Sequence, residues 1–204
     1  MTENNRAKEP IESKFTPVVH MDITSTANQG TLNSENLVIV IAANDAQDVL
    51  QADSKRHFDN CCFEEGVEYI KEEWKNVELE TNFELALAAF GRLLHTVQDF
   101  YAHSNWMEIH LYFDPIPVWD LDLNNLPSGI VSGTWLFGFP KKCSEGALKH
   151  SELNKDELSS EEGEKIVSTG PLAGETLFSL AHEVAIRATL EQFERLKQLR
   201  KQDI

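Results

Sequence analysis

The spacing of apolar residues along the chain is predominantly helical. Apolar side chains recur at intervals of three and four residues, which predicts helices over about 35–51, 63–75, 83–110 and 172–199. A shorter helix is expected around Asp22, a suitable N-cap, and Ser34 suits the cap of the next helix. The prediction is an all-α, single-domain helical bundle over residues 15–204, preceded by a polar, disordered tail at 1–14.

Residues 112–140 interrupt this pattern. They contain four prolines and three glycines, yet they are rich in Trp, Leu, Ile and Phe. An irregular loop this apolar either covers the core, which is the commoner case, or touches lipid. A hairpin between Gly129 and Gly138 is only weakly signalled.

The most informative stretch is LHTVQDFYAHSNW at positions 94–106. His95, Asp99 and His103 are four residues apart, so a helix places them on one face. The surrounding helix is apolar on most sides, where unpaired polar groups are costly. A metal-ligand face is the favoured interpretation, and the alternative is that the three side chains hydrogen-bond one another in the core. Gly91, one turn earlier, is interpreted as leaving room for a ligand.

Other polar residues are less distinctive from the residues alone. His20 is expected just before a helix start. Asp48 shares a helix face with Asn44, and a solvent-facing role for it is equally open. His57 is favoured as a metal ligand over a loop histidine, whereas Asp59 is favoured as a helix cap.

Composition narrows the function classes. The chain has 18 Lys and Arg against 34 Asp and Glu, a net charge of −16, which makes a poor surface for nucleic acid or an anionic membrane. Three cysteines, two of them adjacent at Cys61 and Cys62, give no disulfide framework, so a reduced compartment is expected. No signal-peptide pattern or membrane-spanning run is seen, which predicts a cytoplasmic protein or export by a signal-less route.

Three segments carry a resemblance to a known family. The pattern His-x-x-x-Asp-Phe-Tyr-Ala-His-Ser-Asn-Trp at 95–106 resembles the signature of the HET-C-like (heterokaryon incompatibility) family, which is similar to the zinc-dependent phospholipases C and single-strand nucleases. His57-Phe-Asp and the segment from His150 to Asp156 resemble further elements of that pattern. The resemblance implies a bundle of the zinc-dependent phospholipase C type. The metal ligands that it implies are His20, Asp48, His57, His95, Asp99, His103 and His150. Asn154 departs from the pattern, which has Glu there.

The implied ligand set predicts zinc chemistry. Seven nitrogen and carboxylate ligands without cysteine suit two or three Zn²⁺ ions, with Asp99 bridging. Such ions lower the pKa of a water, and Asp48 either binds metal or acts as the general base. Asp48 and Asp99 are thus the expected catalytic residues. Asn105, Glu108 and Asn154 are expected to orient the ligands, and Trp119, Trp135 and Phe137 to hold acyl chains.

The expected function is therefore hydrolysis of phosphate esters, of the phospholipase C type, acting on phospholipid or at a membrane surface. Two other classes stay open. A single-strand nuclease would use similar chemistry, but the acidic composition argues against it. A non-enzymatic incompatibility or toxin-like protein would use a structural metal and contact membranes through the apolar loop. The sequence leaves the oligomeric state undetermined.

Overall fold

The computed structural model describes residues 17–204, so the predicted tail at 1–14 lies outside it. The helices are α1 (Pro17–Asn28), α2 (Ser34–Asp45), α3 (Phe63–Leu79), α4 (Phe83–His103), α5 (Trp106–His110) and α6 (Leu177–Leu199). Short 3₁₀ turns and isolated β-bridges connect them, and this part of the chain contains no strand. The all-α prediction is confirmed.

Helix α4 is the centre of the bundle and contacts α2, α3 and α6. Its apolar side chains, including Leu87, Phe90 and Leu94, are fully buried, as the helical spacing predicts. Gly91 lies where α2 approaches most closely, because a Cβ on it would be 2.3 Å from the carbonyl oxygen of Val40. The expectation that Gly91 leaves room for a ligand is wrong, since the space is filled by a neighbouring helix.

The first two helices differ from the prediction at their ends. His20 lies within α1 rather than ahead of a helix. The N-cap of α2 is Asn33, whose side chain accepts a hydrogen bond from the backbone N–H of Asn36, rather than Ser34. The helix then tightens into a 3₁₀ turn over Ala46–Leu50, which carries Asp48.

The central and last helices are also shorter than predicted. α4 ends at His103, and the break before α5 is held by the buried Lys155, whose Nζ donates to the carbonyl of Ser104 at 2.9 Å. α6 begins at Leu177, capped by Thr176, six residues after Pro171. The end of α4 depends on a contact with a residue distant in sequence, and the start of α6 depends on a local cap. The spacing of apolar residues predicts neither of these features.

The long apolar loop divides into two parts. Trp119 is 3 % exposed and packs on Phe100, with ring centroids 4.5 Å apart, so it belongs to the core. The prediction that Trp119 holds an acyl chain is therefore wrong, because its ring is not accessible to a substrate. Phe137 and Phe139, by contrast, are mostly exposed. The loop forms no hairpin within the described residues, because Phe139 pairs instead with Asp53.

A disulfide joins Cys61 to Cys143 across 82 residues of sequence. The expectation that the cysteines form no disulfide is wrong. The reduced compartment was expected only for lack of a disulfide, and disulfides persist in oxidising compartments, so that expectation has lost its basis. Cys62 remains a buried thiol. Over residues 17–204, no helix is sufficiently long and apolar to cross a bilayer.

Candidate metal centre

The three four-spaced residues of α4 do share one buried face. Asp99 Oδ2 lies 3.0 Å from His95 Nε2 and 3.9 Å from His103 Nδ1. None of the three side chains is more than 1 % exposed. Asp99 therefore stands between two histidines, and a group of further ligands gathers on each side of it.

The first group joins α4 to α1 and to the segment after α2. His20 Nε2 is 3.3 Å from Asp99 Oδ1, and His57 Nδ1 is 2.8 Å from Asp99 Oδ2. Asp48 Oδ1 is 3.9 Å from His95 Nε2 and its side chain is 17 % exposed, more than any other member. His95 belongs to two sets of three residues whose ligand atoms all lie within 4.8 Å of one another. One set is His20, His95 and Asp99, and the other is Asp48, His57 and His95.

The second group consists of Asp59, His103 and His150, all buried, with ligand atoms again within 4.8 Å of one another. Asp59 Oδ1 lies 3.4 Å from His103 Nδ1 and 3.7 Å from His150 Nε2. The prediction that Asp59 caps a helix is wrong, because α3 begins after Cys62 and has no side-chain cap. Asp59 follows His57 by two residues, and this closeness to a candidate ligand was the signal in the sequence that Asp59 belongs to the centre.

A tight bend and a crossing loop bring the second group together. Phe58, Asn60 and Cys61 all have positive φ, which turns the chain sharply around Asp59. Gly133 crosses beside it. The N–H of Gly133 donates to the carbonyl of His103 at 2.9 Å, and its carbonyl accepts from the N–H of Asn60 at 2.8 Å. A Cβ on Gly133 would lie 2.5 Å from the Cα of His150, so only glycine allows this approach.

Two histidines have their outer ring nitrogen held by the amide oxygen of a neighbouring side chain. Gln98 Oε1 is 2.7 Å from His20 Nδ1, and Asn44 Oδ1 is 3.1 Å from His95 Nδ1. In both rings the other nitrogen, Nε2, faces Asp99. This is how metal-binding histidines are oriented in proteins, because the outer acceptor fixes the tautomer that leaves the inner nitrogen free to bind.

His103 differs, because both of its ring nitrogens face oxygen acceptors. Asp156 Oδ1 lies 3.0 Å from Nε2, whereas Nδ1 lies 3.1 Å from the carbonyl oxygen of His57 and 3.4 Å from Asp59 Oδ1. The sequence analysis missed Gln98 and Asp156. Gln98 lies within the α4 motif, and Asp156 ends the segment that begins at His150, so position in those motifs was the available signal.

The residues predicted to orient the ligands have other contacts. Asn105 holds the apolar loop, since its Oδ1 accepts from the N–H of Val131 at 2.8 Å and its Nδ2 donates to the carbonyl of Gly129. Glu108 accepts from the Nζ of Lys155 at 3.0 Å. The hydrogen bonds of these two residues are made to the apolar loop and to Lys155, not to a candidate ligand.

Asn154, the third residue of that prediction, does have a contact relevant to the centre. Its Oδ1 accepts from the N–H of Asp156 at 2.7 Å. Asp156 in turn contacts His103, so Asn154 helps to place a group that orients a ligand.

Of the predicted substrate-binding residues, Trp135 lies beside the second group and Phe137 lies against Trp135. The ring of Trp135 is centred 5.7 Å from that of His150 and 6.1 Å from that of Phe137. Asn60 holds the backbone of Trp135, accepting from its N–H at 3.1 Å and donating to its carbonyl at 3.2 Å. Phe137 is 67 % exposed and extends outward.

The charges in the centre are strongly coupled. Burial alone would raise the pKa of Asp99, but His95, His103 and the hydrogen bonds from the other histidines hold it well below its ordinary range. Burial, aided by the nearby charge of His20, lowers the pKa of His95 to about 3. His95 is thus neutral near pH 7, as a metal ligand must be.

His103 and His20 behave differently. Burial lowers the pKa of each, but neighbouring carboxylates outweigh it. Asp156, Asp99 and Asp59 raise the pKa of His103 to about 10. The hydrogen bond and charge of Asp99, together with Asp48, raise the pKa of His20. In the absence of metal, protons on these rings therefore offset part of the carboxylate charge.

The donor set fits zinc. It combines imidazole nitrogens with carboxylate oxygens and has no thiolate, and both ligand types are usual for Zn²⁺. Asp156 Oδ2 is also buried without a hydrogen-bond partner, which is costly unless a cation or another donor satisfies it. These residues would hold ions on both sides of Asp99.

One comparison with known proteins gives a match. The family model for the VWA7 N-terminal domain matches residues 18–112, a little under half of the chain, and this region includes α1 to α5 and the His95–His103 face. No curated protein and no solved structure matches the chain.

The matched family corrects the resemblance drawn from the sequence. The assignment to the HET-C-like family, and through it to the zinc-dependent phospholipases C, is wrong, because the segment that suggested it falls inside the VWA7 N-terminal domain match. Histidine and aspartate four residues apart lie on one face of a helix in any family. The pattern therefore predicted a shared face and not the family.

Proposed function

We propose that this chain is a metal-dependent hydrolase of phosphate esters that holds two or three zinc ions, with phospholipids as its substrate class. The observation that carries the proposal is the convergence of histidine and aspartate side chains from distant segments on Asp99. The carboxylate of Asp99 has four histidine rings within 3.9 Å, those of His20, His57, His95 and His103. Burying so many ionisable groups without a cation would be costly.

Bound zinc ions would activate a water and neutralise phosphoryl oxygens. Among the chain's own residues, Asp99 separates the two ligand groups and is placed to contact ions on both sides. Asp48 is the most exposed member of the centre, which suits a general base that must reach water. The ring of Trp135 lies next to His150 and that of Phe137 next to Trp135, and an acyl chain would lie along these two rings. The finer description of the fold, a bundle of the zinc-dependent phospholipase C type, stays a prediction.

A second candidate is a structural metal without catalysis. Its support is that every ligand except Asp48 is at most 1 % exposed, so the centre is nearly closed to solvent. Structural sites are closed, whereas catalytic sites keep a position open to water or substrate. Under this alternative the ions would hold α1, α4 and the two ligand-bearing loops together.

Metal analysis and hydrolysis assays test both candidates. Metal content is measured by elemental analysis for the wild type, His95→Ala and His103→Ala, with His182→Ala as the control. His182 is a partly exposed histidine that pairs with Asp22, outside the centre. Hydrolysis is followed on a soluble aryl phosphodiester and on phosphatidylcholine, before and after chelation.

We expect two or three zinc ions in the wild type and in His182→Ala, and fewer in the other two variants. Hydrolysis should disappear on chelation and return with zinc. Bound zinc without turnover of either substrate would favour the structural role. A wild type that binds no zinc would overturn both candidates.

A further inference from the structure

Three large apolar side chains are exposed together on the segment after Trp135. Leu136, Phe137 and Phe139 are 69, 67 and 65 % exposed. We call these three residues the loop patch. Scattered surface apolar residues are ordinary, but three within four positions of an irregular loop mark a site that contacts an apolar partner.

The exposed apolar surface continues onto a second segment that pairs with the first. The N–H of Phe139 donates to the carbonyl of Ala52 at 2.9 Å, and the carbonyl of Phe139 accepts from the N–H of Ser54. Just before Ala52, Val49 is 84 % exposed and Leu50 is 45 % exposed. Two segments about 85 residues apart in sequence therefore bring exposed apolar residues to the same part of the molecule.

The segment that carries the loop patch is locally basic, although Lys142 Nζ pairs with Glu65 Oε1 at 2.7 Å and Asp53 lies on the segment paired with Phe139. Residues 135–149 contain three lysines and one glutamate, although the chain carries a net charge of −16. Lys141 lies at the border of the patch. Its Nζ donates to the carbonyl of Leu136 at 2.8 Å and is 5.3 Å from the centre of the Phe139 ring. An apolar surface bordered by the ammonium group of Lys141 matches the acyl chains and phosphates of a bilayer surface.

The loop patch is also connected to the metal centre. Phe137 contacts Trp135, whose ring contacts His150, and Asn60 binds both the N–H and the carbonyl of Trp135. A surface that docked on the patch would therefore place its phosphates near the second ligand group.

We propose that the loop patch is the surface by which this chain binds a phospholipid bilayer, with Phe137 and Phe139 among the acyl chains and Lys141 at the phosphates. The proposal deepens the proposed function and rests on it only for the choice of phospholipid. A second copy of the chain is the other candidate occupant, and sedimentation analysis distinguishes it from a bilayer.

Vesicle binding tests the proposal without requiring turnover. Co-sedimentation is measured with phosphatidylcholine vesicles and with vesicles that also contain phosphatidylserine. The variants are the double substitution Phe137→Ser with Phe139→Ser, the single substitution Lys141→Gln, and Leu79→Ser. Leu79 is the matched control, because it is 66 % exposed at the end of α3 and belongs to neither segment.

We expect the wild type and Leu79→Ser to bind equally. The double variant should lose about tenfold or more in affinity for both vesicles, because two exposed rings no longer leave water. Lys141→Gln should lose about fivefold, and only on the anionic vesicles. Zinc content should be unchanged in all variants, because none of the substituted residues is a candidate metal ligand. Turnover of the soluble phosphodiester should be unchanged in Leu79→Ser and Lys141→Gln.

Two results would overturn the proposal. One is equal vesicle binding by the wild type and the double variant, including no binding by either. The other is a wild-type dimer in sedimentation analysis that the double variant converts to monomer, which would assign the patch to self-association. If vesicles bind through the patch but no phosphate ester is hydrolysed, the docking surface stands and the proposed function fails.

Discussion

Asp99→Asn is the substitution that most directly tests how the buried centre is held together. Asp99 is 1 % exposed, and its Oδ2 lies 2.8 Å from His57 Nδ1 and 3.0 Å from His95 Nε2. Asparagine has nearly the same shape, so packing is preserved. The negative charge is lost, however, and one oxygen becomes an amide group that can only donate.

The size of the effect follows from burial. Removing one partner from a buried, hydrogen-bonded charge network costs about 3–5 kcal/mol, because the remaining groups are left without compensation. For a chain of this length each kcal/mol lowers Tm by about 2–4 °C, so the metal-free variant should melt roughly 6–20 °C lower. Zinc binding should also fall, since Asp99 is the ligand placed between both groups.

Two separate measurements distinguish the effects. Urea unfolding in the presence of a chelator measures the stability of the metal-free protein, and elemental analysis without a chelator measures zinc binding. The control is Asp22→Asn. Asp22 carries a carboxylate that also pairs with a histidine, but its side chain is 60 % exposed. Exposed pairs contribute at most about 1 kcal/mol. If Asp99→Asn costs no more than Asp22→Asn and keeps its zinc, Asp99 is not the centre of the network.

Three further predictions concern the surrounding structure. Gly91→Ala should destabilise the protein by about 1–3 kcal/mol in urea unfolding, because its Cβ would collide with the Val40 carbonyl and force α2 away from α4. Glu73→Gln should cost about 1–3 kcal/mol at neutral pH, because the half-buried Arg92 donates two hydrogen bonds to the carboxylate of Glu73. Cys143→Ser should cost about 2–5 kcal/mol by opening an 82-residue loop, and zinc should be lost more readily to a chelator.

The Glu73 prediction also has a definite pH dependence. Burial would raise the pKa of Glu73, but the hydrogen bonds and charge of Arg92 hold it below its ordinary value of 4.5. The stabilisation is therefore complete well above pH 4.5 and is lost as the pH falls through the lowered value. The difference between wild type and Glu73→Gln should vanish at that acidic end. Glu68→Gln, at an exposed position on the same helix, is the matched control.

Each of these predictions has a result that contradicts it. A Gly91→Ala protein as stable as the wild type would mean that the two helices do not approach at this point. A wild-type-to-Glu73→Gln difference that stays constant into acid would mean that the carboxylate is not stabilised by Arg92. Unchanged zinc retention in Cys143→Ser would show that the disulfide does not hold the ligand-bearing loops.

The sequence predicted those features of the centre that depend on neighbours along one helix. The four-residue spacing of His95, Asp99 and His103 fixes a common face, whatever packs against it. The same reasoning failed where the helix ended. The break at Ser104 depends on Lys155, which is fifty-one residues away and donates to its carbonyl.

What the sequence alone determined was the all-α class and the ligand face on α4, because helical periodicity and i, i+4 spacing are local properties. Only the tertiary structure decided which distant residues join that face. Asp59 became a ligand candidate rather than a cap, and Asp156 became the partner of His103, because the chain bends sharply around Asp59 and a loop crosses at Gly133. Burial and charge pairing arise when distant segments pack, so the residue types at these positions gave no sign of either.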